Sequence, residues 1–441
     1  MSTTSDIHVS GVTTTASGNP DRPYDDVDIS SRAFCSLDSD GREKRFAILR
    51  ERGTITWHPP FEEQLIEDPQ DYGFWAITTY DDLVEVTKRH DDFLSAPGVL
   101  MENLPPEFVE SGQSLLGMDT PRHTLMRRLV AAAFTPKQMT RINDMIRTNA
   151  RGAVDNLLAK AEANGGETDF VEECAGLMPM NNINDMMDVP QAERKRAAHE
   201  MKVAVSWNDP DVVGHTKEQV FGALFQAITY CHGLASTLAA QRRERPGKDL
   251  ISTLAAAEVD GQQLTEHEIG SFFTLLTVAG NDTTRQSTSH ALKALTDHPE
   301  QRAWLLADLE ARMPTAVEEF VRWATPVSTF RRTAARDLDF RGSRITKGDK
   351  VVMFYASANR DGRRIERPNE LDLSRNPNPH ITFGGGGIHH CLGNQLARTQ
   401  LRAVLTELLT RAPRITCGEP TMTPSNLLHI VKALPCTPEP G

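Results

Sequence analysis

In the run FGGGGIHHCLG, residues 383–393, two histidines and a cysteine stand side by side behind four glycines. Three chemistries suit such a cluster. A zinc ion wants about four ligands. Adjacent histidines on one loop turn onto a single metal poorly, and the other cysteines (35, 174, 231, 417 and 436) lie far away in sequence. A buried structural cysteine is inert, and burial is the commonest fate of this residue. The third case is a cysteine just ahead of a helix. The helix's first N–H groups and positive dipole end then stabilise the thiolate, the form of cysteine that attacks electrophiles and binds metals. Glycines ahead of it let backbone come close to something flat and bulky.

Other polar residues stand where plain packing does not ask for them. Asp282 and Thr283 interrupt a long helical run in which Ala or Leu would be better formers; a threonine there can simply bond the carbonyl four residues back. Glu319 and Arg322 are three apart and His123 and Arg127 four apart, spacings that share one helix face. The plain alternative for the first pair is a surface ion pair of little worth.

The elements that must carry these residues are legible in outline. Residues 1–25 are rich in Ser, Thr and Gly and read as a flexible segment ahead of one domain over 26–441. GFWAIT (73–78) reads as a strand and YDDLVEVTKRH (80–90) as a helix capped by Thr79. Residues 96–117 form an irregular stretch with apolar Leu, Met and Phe, suited to buried packing or a binding lid. From about 120 to 297 helix dominates, with breaks expected at Pro179, Pro190, Pro210 and Pro246. The longest helix opens on the capping box T-E-H-E (265–268) and runs to Asp297. PTAVEEFVRW (314–323) continues the helical part, KVVMFY (350–355) alternates as a strand, and a last helix runs from about Cys391 to Arg411. Much helix with a little sheet favours one large domain.

The chain has 441 residues, 39% hydrophobic and 24% charged, enough for a substantial core. A formal charge of −12 argues against nucleic acid as the main partner. No paired cysteine spacing and no apolar run of about 18 residues occur, so a reduced cytoplasm without a membrane span is expected.

FGGGGIHHCLG resembles the haem-binding loop of the cytochromes P450, with Phe383 eight residues before the cysteine rather than the commoner seven. AGNDTT (279–284) resembles the family's oxygen-activation segment, EEFVRW (318–323) its ExxR helix, and MDTPRHTLMRR (118–128) its propionate-binding helix. The resemblance implies a mainly α fold with a small β part, a triangular prism holding haem b between the long helix and the cysteine loop. Cys391 would be the thiolate axial ligand. His123, Arg127, Arg332 and His389 would meet the propionates, with Ala279, Phe383, Gly384 and Gly393 also against the cofactor and His390 a bystander. Asp282 and Thr283 would relay protons, while Glu319, Arg322 and Arg375 would form a structural brace.

The resemblance further implies insertion of one oxygen atom from O2 into a C–H bond of a hydrophobic substrate. Leu100, Met101, Leu275, Val278, Val327, Phe330 and Leu428 would stand at the substrate end, with Phe108 and Met178 as further candidates. Electrons would come from a separate ferredoxin and its reductase, docking at a basic patch of Arg122, Arg127, Arg128, Lys137, Arg398 and Arg402. The similarity is greatest to bacterial members acting on sterol side chains and methyl-branched terpenoid or fatty chains. A cyclic terpenoid or aromatic metabolite is the rival substrate. Peroxide-driven or non-oxygenating haem-thiolate chemistry is the rival function, disfavoured by the intact Asp282–Thr283 pair.

Overall fold

Thr265 and Glu268 exchange the two bonds of a capping box, Glu268 N donating to Thr265 Oγ1 at 3.2 Å and Thr265 N to Glu268 Oε2 at 2.8 Å. They open the central helix Glu266–Asp297, whose 32 residues span about 48 Å at about 1.5 Å each. The computed structural model describes residues 20–104, 109, 114–131, 136–207 and 209–439. Phe108, most of the 1–25 segment and the side chain of Lys137 lie outside the described residues.

Helices pack on both sides of the central one. Its C-terminal half meets the helices Leu309–Ala324 and Asn394–Arg411 in a core that includes Leu292, Leu295, Phe320, Val404 and Leu408. Its N-terminal half meets Leu177–Met186 and Lys217–Glu244 through Ile269, Phe273, Ile183 and Cys231. Burying each such Leu, Ile or Phe is worth about 1.5–3 kcal/mol against exposure. Met178 belongs to this interior, fully buried, and not to a substrate surface.

The β part is a five-stranded sheet in the order Thr56–His58, Phe74–Ile77, Lys350–Phe354, Thr329–Ala334, Phe93–Leu94. Phe74–Ile77 and Lys350–Phe354 run parallel, and the other neighbours antiparallel. The helix Tyr80–Lys88 covers the sheet through Leu83 and Val86, with Thr79 accepting from Asp82 N as its cap. This is the mainly α, single-domain architecture with a small sheet that the sequence predicts.

Two expectations need correction. Pro179 does not break a helix: it sits in the first turn of Leu177–Met186, where a missing N–H costs nothing. Pro190 and Pro210 do stand at helix starts, and Pro246 follows the end of Lys217–Glu244. Order also begins before residue 26, since Arg22 Nη1 meets Asp349 Oδ2 at 3.0 Å and Asp25 N donates to Trp57 O at 2.7 Å.

Candidate active site

The cysteine loop is folded by its own backbone. Cys391 N donates to Phe383 O at 2.8 Å, closing the eight-residue interval, and Asn394 Nδ2 caps Cys391 O at 2.7 Å. Gly384 and Gly386 take φ of +96° and +85°, which a side chain would oppose. Gly385 and Gly387 serve a different need. A Cβ on Gly387 would lie 2.0 Å from Thr87 O, and one on Gly385 2.7 Å from Thr87 Oγ1. These two therefore let the loop press on the helix Tyr80–Lys88, so the close approach read from the glycines is in part to protein. His390 also works for the loop: its Nδ1 lies 3.2 Å from Gly384 O, and its carbonyl accepts from Arg127 Nη2 at 2.7 Å.

The helix after the loop is Asn394–Arg411, with Gly393 at its N-cap. Burial pushes the Cys391 thiol above its ordinary value, opposed first by the Gly393 N–H and then by the Arg127 and Arg398 charges. Arg398 is held over the Phe383 ring at 4.3 Å and tied to Glu318. Cys391 faces a cavity of about 240 Å³.

One end of that cavity gathers donors from three distant segments. His123 and Arg127 come from the helix Arg122–Ala131, Arg332 from the strand Thr329–Ala334, and His389 from the loop. The His123 and His389 rings are 4.4 Å apart, and both ring nitrogens of His123 are buried without a partner. Burial, then Arg127, pulls His123 down to about 4; burial, then Arg332, pulls His389 down to about 2. Among the described residues neither Arg127 nor Arg332 has an ion pair; Arg332 Nη1 donates only to Arg331 O, at 2.8 Å. Unpaired buried donors are costly. Of the four, only His123 is wholly unpartnered among the described residues, since Arg127 Nη2 donates to His390 O at 2.7 Å and His389 Nε2 lies 3.0 Å from Ser95 Oγ. A group bearing carboxylates would satisfy His123 and neutralise the two guanidinium charges.

The central helix supplies another wall. Leu275, Ala279 and Thr283 line the cavity, with Phe272 and Leu276 on the same face. Thr283 Oγ1 donates to Ala279 O at 2.7 Å, the back-bond to the carbonyl four residues earlier. Asp282 does not line the cavity. It is 1% exposed and stands 2.5 Å from Arg285 Nη2, a charge pair without hydrogen-bond alignment. Burial raises its carboxyl, with Arg285 and then Lys202 opposing.

Of the substrate-end residues, Leu275, Val327 and Phe330 line the cavity. Leu428 backs that wall through a β-bridge to Val327, and Val278 and Leu100 are not among the lining residues. Met101 is core, packed with Phe74 and Phe354 at 2% exposure. Sequence reasoning missed Leu116, Phe272 and Tyr355, all of which line the cavity. Phe272 was detectable, since it precedes Leu275 and Ala279 by three and seven residues on one face.

The third charged cluster is complete. Arg322 grips Glu319 side-on, Nε to Oε2 at 2.8 Å and Nη2 to Oε1 at 2.7 Å, and Arg375 Nε reaches Oε2 at 3.1 Å.

The sequence model of the family Cytochrome P450 matches residues 69–425. The chain is a cytochrome P450. Similar proteins agree along almost its whole length. A methyl-branched lipid omega-hydroxylase of Mycobacterium tuberculosis is 40% identical over 419 residues, covering 95% of this chain and 96% of that protein. A steroid C26-monooxygenase of Rhodococcus jostii is 34% identical over 395 residues, 88% of this chain and 80% of that one. A solved Mycobacterium marinum cytochrome P450 in complex with pseudoionone superposes with a TM-score of 0.88 at 52% identity, covering 94% of this chain and 99% of that one.

This cytochrome P450 is therefore a monooxygenase of a family whose cofactor is a haem-thiolate iron. The residues present fit that group: a thiol on one wall, orphaned buried donors for carboxylates at one end, and an apolar surface between. Among the described residues no helix is long and apolar enough to cross a membrane.

Proposed function

We propose that this cytochrome P450 hydroxylates an unactivated C–H bond near the end of a hydrophobic chain, a methyl-branched lipid or a sterol side chain. The reading rests on one arrangement, Cys391 and Thr283 lining one and the same largely apolar cavity. The names of the similar proteins support the substrate class, and Phe272, Leu275, Val327 and Phe330 suit an apolar chain.

Haem b, when bound, supplies activation of O2, and a thiolate sulfur favours O–O cleavage. Cys391 would hold the iron as thiolate, with the Gly393 N–H and the charges of Arg127 and Arg398 aimed at the sulfur. His123, Arg127, Arg332 and His389 would bind the propionates, with the unpartnered His123 ring and two guanidinium groups that have no ion pair among the described residues as the donors that favour this. Ala279, Phe383, Gly384 and Gly393 would lie against the ring. Thr283 releases its bond to Ala279 O to hold a proton at Oγ1 toward the cavity. Asp282, whose carboxyl burial raises above its ordinary value, would resupply that proton from the far face of the helix once it parts from Arg285.

Electrons would arrive from a ferredoxin served by its reductase, in the cytoplasm. The basic patch is more neutralised than its sequence implies: Arg122, Arg128 and Arg398 already pair with Glu268, Asp260 and Glu318. Arg402, exposed and without an ion pair among the described residues, remains for docking, and salt weakens such steering.

The deciding experiment supplies the haem-loaded protein with ferredoxin, reductase and O2, and offers a methyl-branched fatty acid, a sterol and an aromatic polycycle. Terminally hydroxylated products from the first two are expected. Turnover of the polycycle alone would overturn the substrate class, and a reduced carbon monoxide complex lacking the thiolate-type Soret shift would overturn Cys391 as ligand.

A further inference from the structure

Three cysteines outside the cavity converge. The short strands Thr416–Cys417 and Pro435–Thr437 pair antiparallel with Cys417 directly opposite Cys436. The neighbouring pair is the hydrogen-bonded one, Gly418 N donating to Pro435 O at 2.9 Å. Bonded and non-bonded pairs alternate along such a ladder, so the cysteines occupy a non-hydrogen-bonded pair. The N–H of Cys417 agrees, for it points away from the partner strand to Thr296 Oγ1 at 3.2 Å. Residues so placed have Cα atoms about 4.5 Å apart and side chains on one face. That falls within the Cα separation of about 4.4–6.8 Å that a disulfide spans.

The two thiols differ in access. Cys436 is 2% exposed, while Cys417 is only partly buried, with its sulfur 3.2 Å from Thr296 Oγ1. Burial raises the Cys417 thiol, and the Thr296 hydroxyl, Lys293 and Arg302 oppose the rise. Cys174, fully buried, lies near enough to Cys436 to feel its charge. Among the described residues no group of three His, Cys, Asp or Glu side chains could hold a metal ion.

We propose that Cys417 and Cys436 are a reversible dithiol–disulfide couple, a redox site separate from the haem cavity and oxidised by hydrogen peroxide. The sulfur of Cys417, the less buried of the two, attacks one peroxide oxygen, the O–O bond breaks, and sulfenic acid and water form. The Cys436 thiol then attacks the sulfenic sulfur; the S–O bond breaks, the S–S bond forms, and a second water leaves with the two thiol protons accounted for. Two electrons pass from the thiols to the peroxide. Proximity rather than acidity drives the second step, because the pair is already in register.

The closed loop would contain residues 418–435, including the paired strands Thr421–Thr423 and Ile430–Ala433. Between those strands lies the turn whose Leu427 carbonyl accepts from Ser328 N at 2.8 Å and whose Leu428 bridges Val327. Oxidation would thus fasten the base of a hairpin that backs the cavity wall.

The test treats the haem-loaded protein with hydrogen peroxide, alkylates the remaining thiols in denaturant, digests without reduction and maps the peptides by mass. The expected product is a Cys417–Cys436 cross-link, two hydrogens lighter than the separate peptides, lost with dithiothreitol and retained in Cys174→Ala. Alkylation of both cysteines, a Cys174–Cys436 link, or a Cys417 sulfinic acid beside a free Cys436 would each overturn the proposal. The readout does not depend on turnover, so it stands or falls apart from the substrate class.

Discussion

Glu319, beneath the chain that leads into the cysteine loop, is shared by two arginines, whereas among the described residues Glu102, in the substrate-side segment, has no arginine or lysine hydrogen-bonded to its carboxylate. In the first cluster every N–H of Arg322 has an acceptor: Glu319 twice and the carbonyls of Asn359, Pro368 and Glu370. Glu319 also accepts from Asp372 N and Asn378 Nδ2 at 2.9 Å each. In the second cluster Lys350 meets Asp71, and Arg331 spends its guanidinium on Pro97 O, Glu102 O and Asn103 Oδ1. Among the described residues Arg331 Nε is buried without a partner. Burial holds Glu102 up to about 7, Lys350 down to about 8 and Arg331 down to about 10.

Both clusters bury charge, yet they do so for different ends. Saturated hydrogen bonding offsets desolvation and makes a rigid brace. The second cluster clamps residues 97–103 onto the sheet with groups whose charge depends on pH. Gly98 permits that clamp: at φ +135° its Cβ would lie 2.9 Å from Arg331 Nη2.

Glu319→Ala is the harshest way to test the contrast. It strands two buried guanidinium groups, and a loss of about 3–5 kcal/mol is expected in urea or thermal unfolding of the haem-loaded protein. A cost below that of any substitution in the second cluster would reverse the comparison.

Asp71→Asn should cost less, about 1–3 kcal/mol at neutral pH, because Lys350 can shed its proton when its carboxylate is removed. Its deficit against wild type is expected to shrink as pH rises above about 8, where Lys350 is neutral in both proteins. A deficit that does not change with alkalinity would mean that Lys350 stays charged in both proteins.

Glu102→Gln should have the smallest effect, and its sign should follow pH. The folded carboxyl titrates near 7 and the unfolded one near 4.5, so between these values the folded state holds the extra proton. Wild-type stability from this group is therefore present below the unfolded value and falls as pH rises through the window. The variant lacks that loss. Relative to wild type it should gain on the order of 1 kcal/mol between about pH 5 and about pH 8, read as the difference in unfolding midpoints. A pH-independent difference would place the titration elsewhere.

The brace was legible because Glu319 and Arg322 sit three apart on one helix and Arg375 completes a recognisable motif. The clamp was not. Asp71, Glu102, Arg331 and Lys350 come from four separated segments, and KVVMF (350–354) announces only a strand. The cysteine loop shows the same division: four glycines signalled a close approach, but Thr87 as one of the surfaces approached is a contact across about 300 residues. The Asp282–Thr283 pair was legible as chemistry and illegible in direction. Consecutive helical residues stand about 100° apart, so both side chains could not face the cavity.

What the sequence determined by itself is local: the capping box at Thr265, the cap at Thr79, the helix behind Cys391, the ExxR pair, and the motifs that place the chain among the cytochromes P450. Such features depend on hydrogen bonds and spacings within a few residues, which propensity and periodicity encode. The tertiary structure alone decided that His123, Arg127, Arg332 and His389 share one end of a cavity, that Met101 is core, that Cys417 meets Cys436, and that Glu102 is buried beside a titratable lysine. Those outcomes depend on contacts between segments far apart in the chain, where burial and mutual orientation, not residue type, set the chemistry.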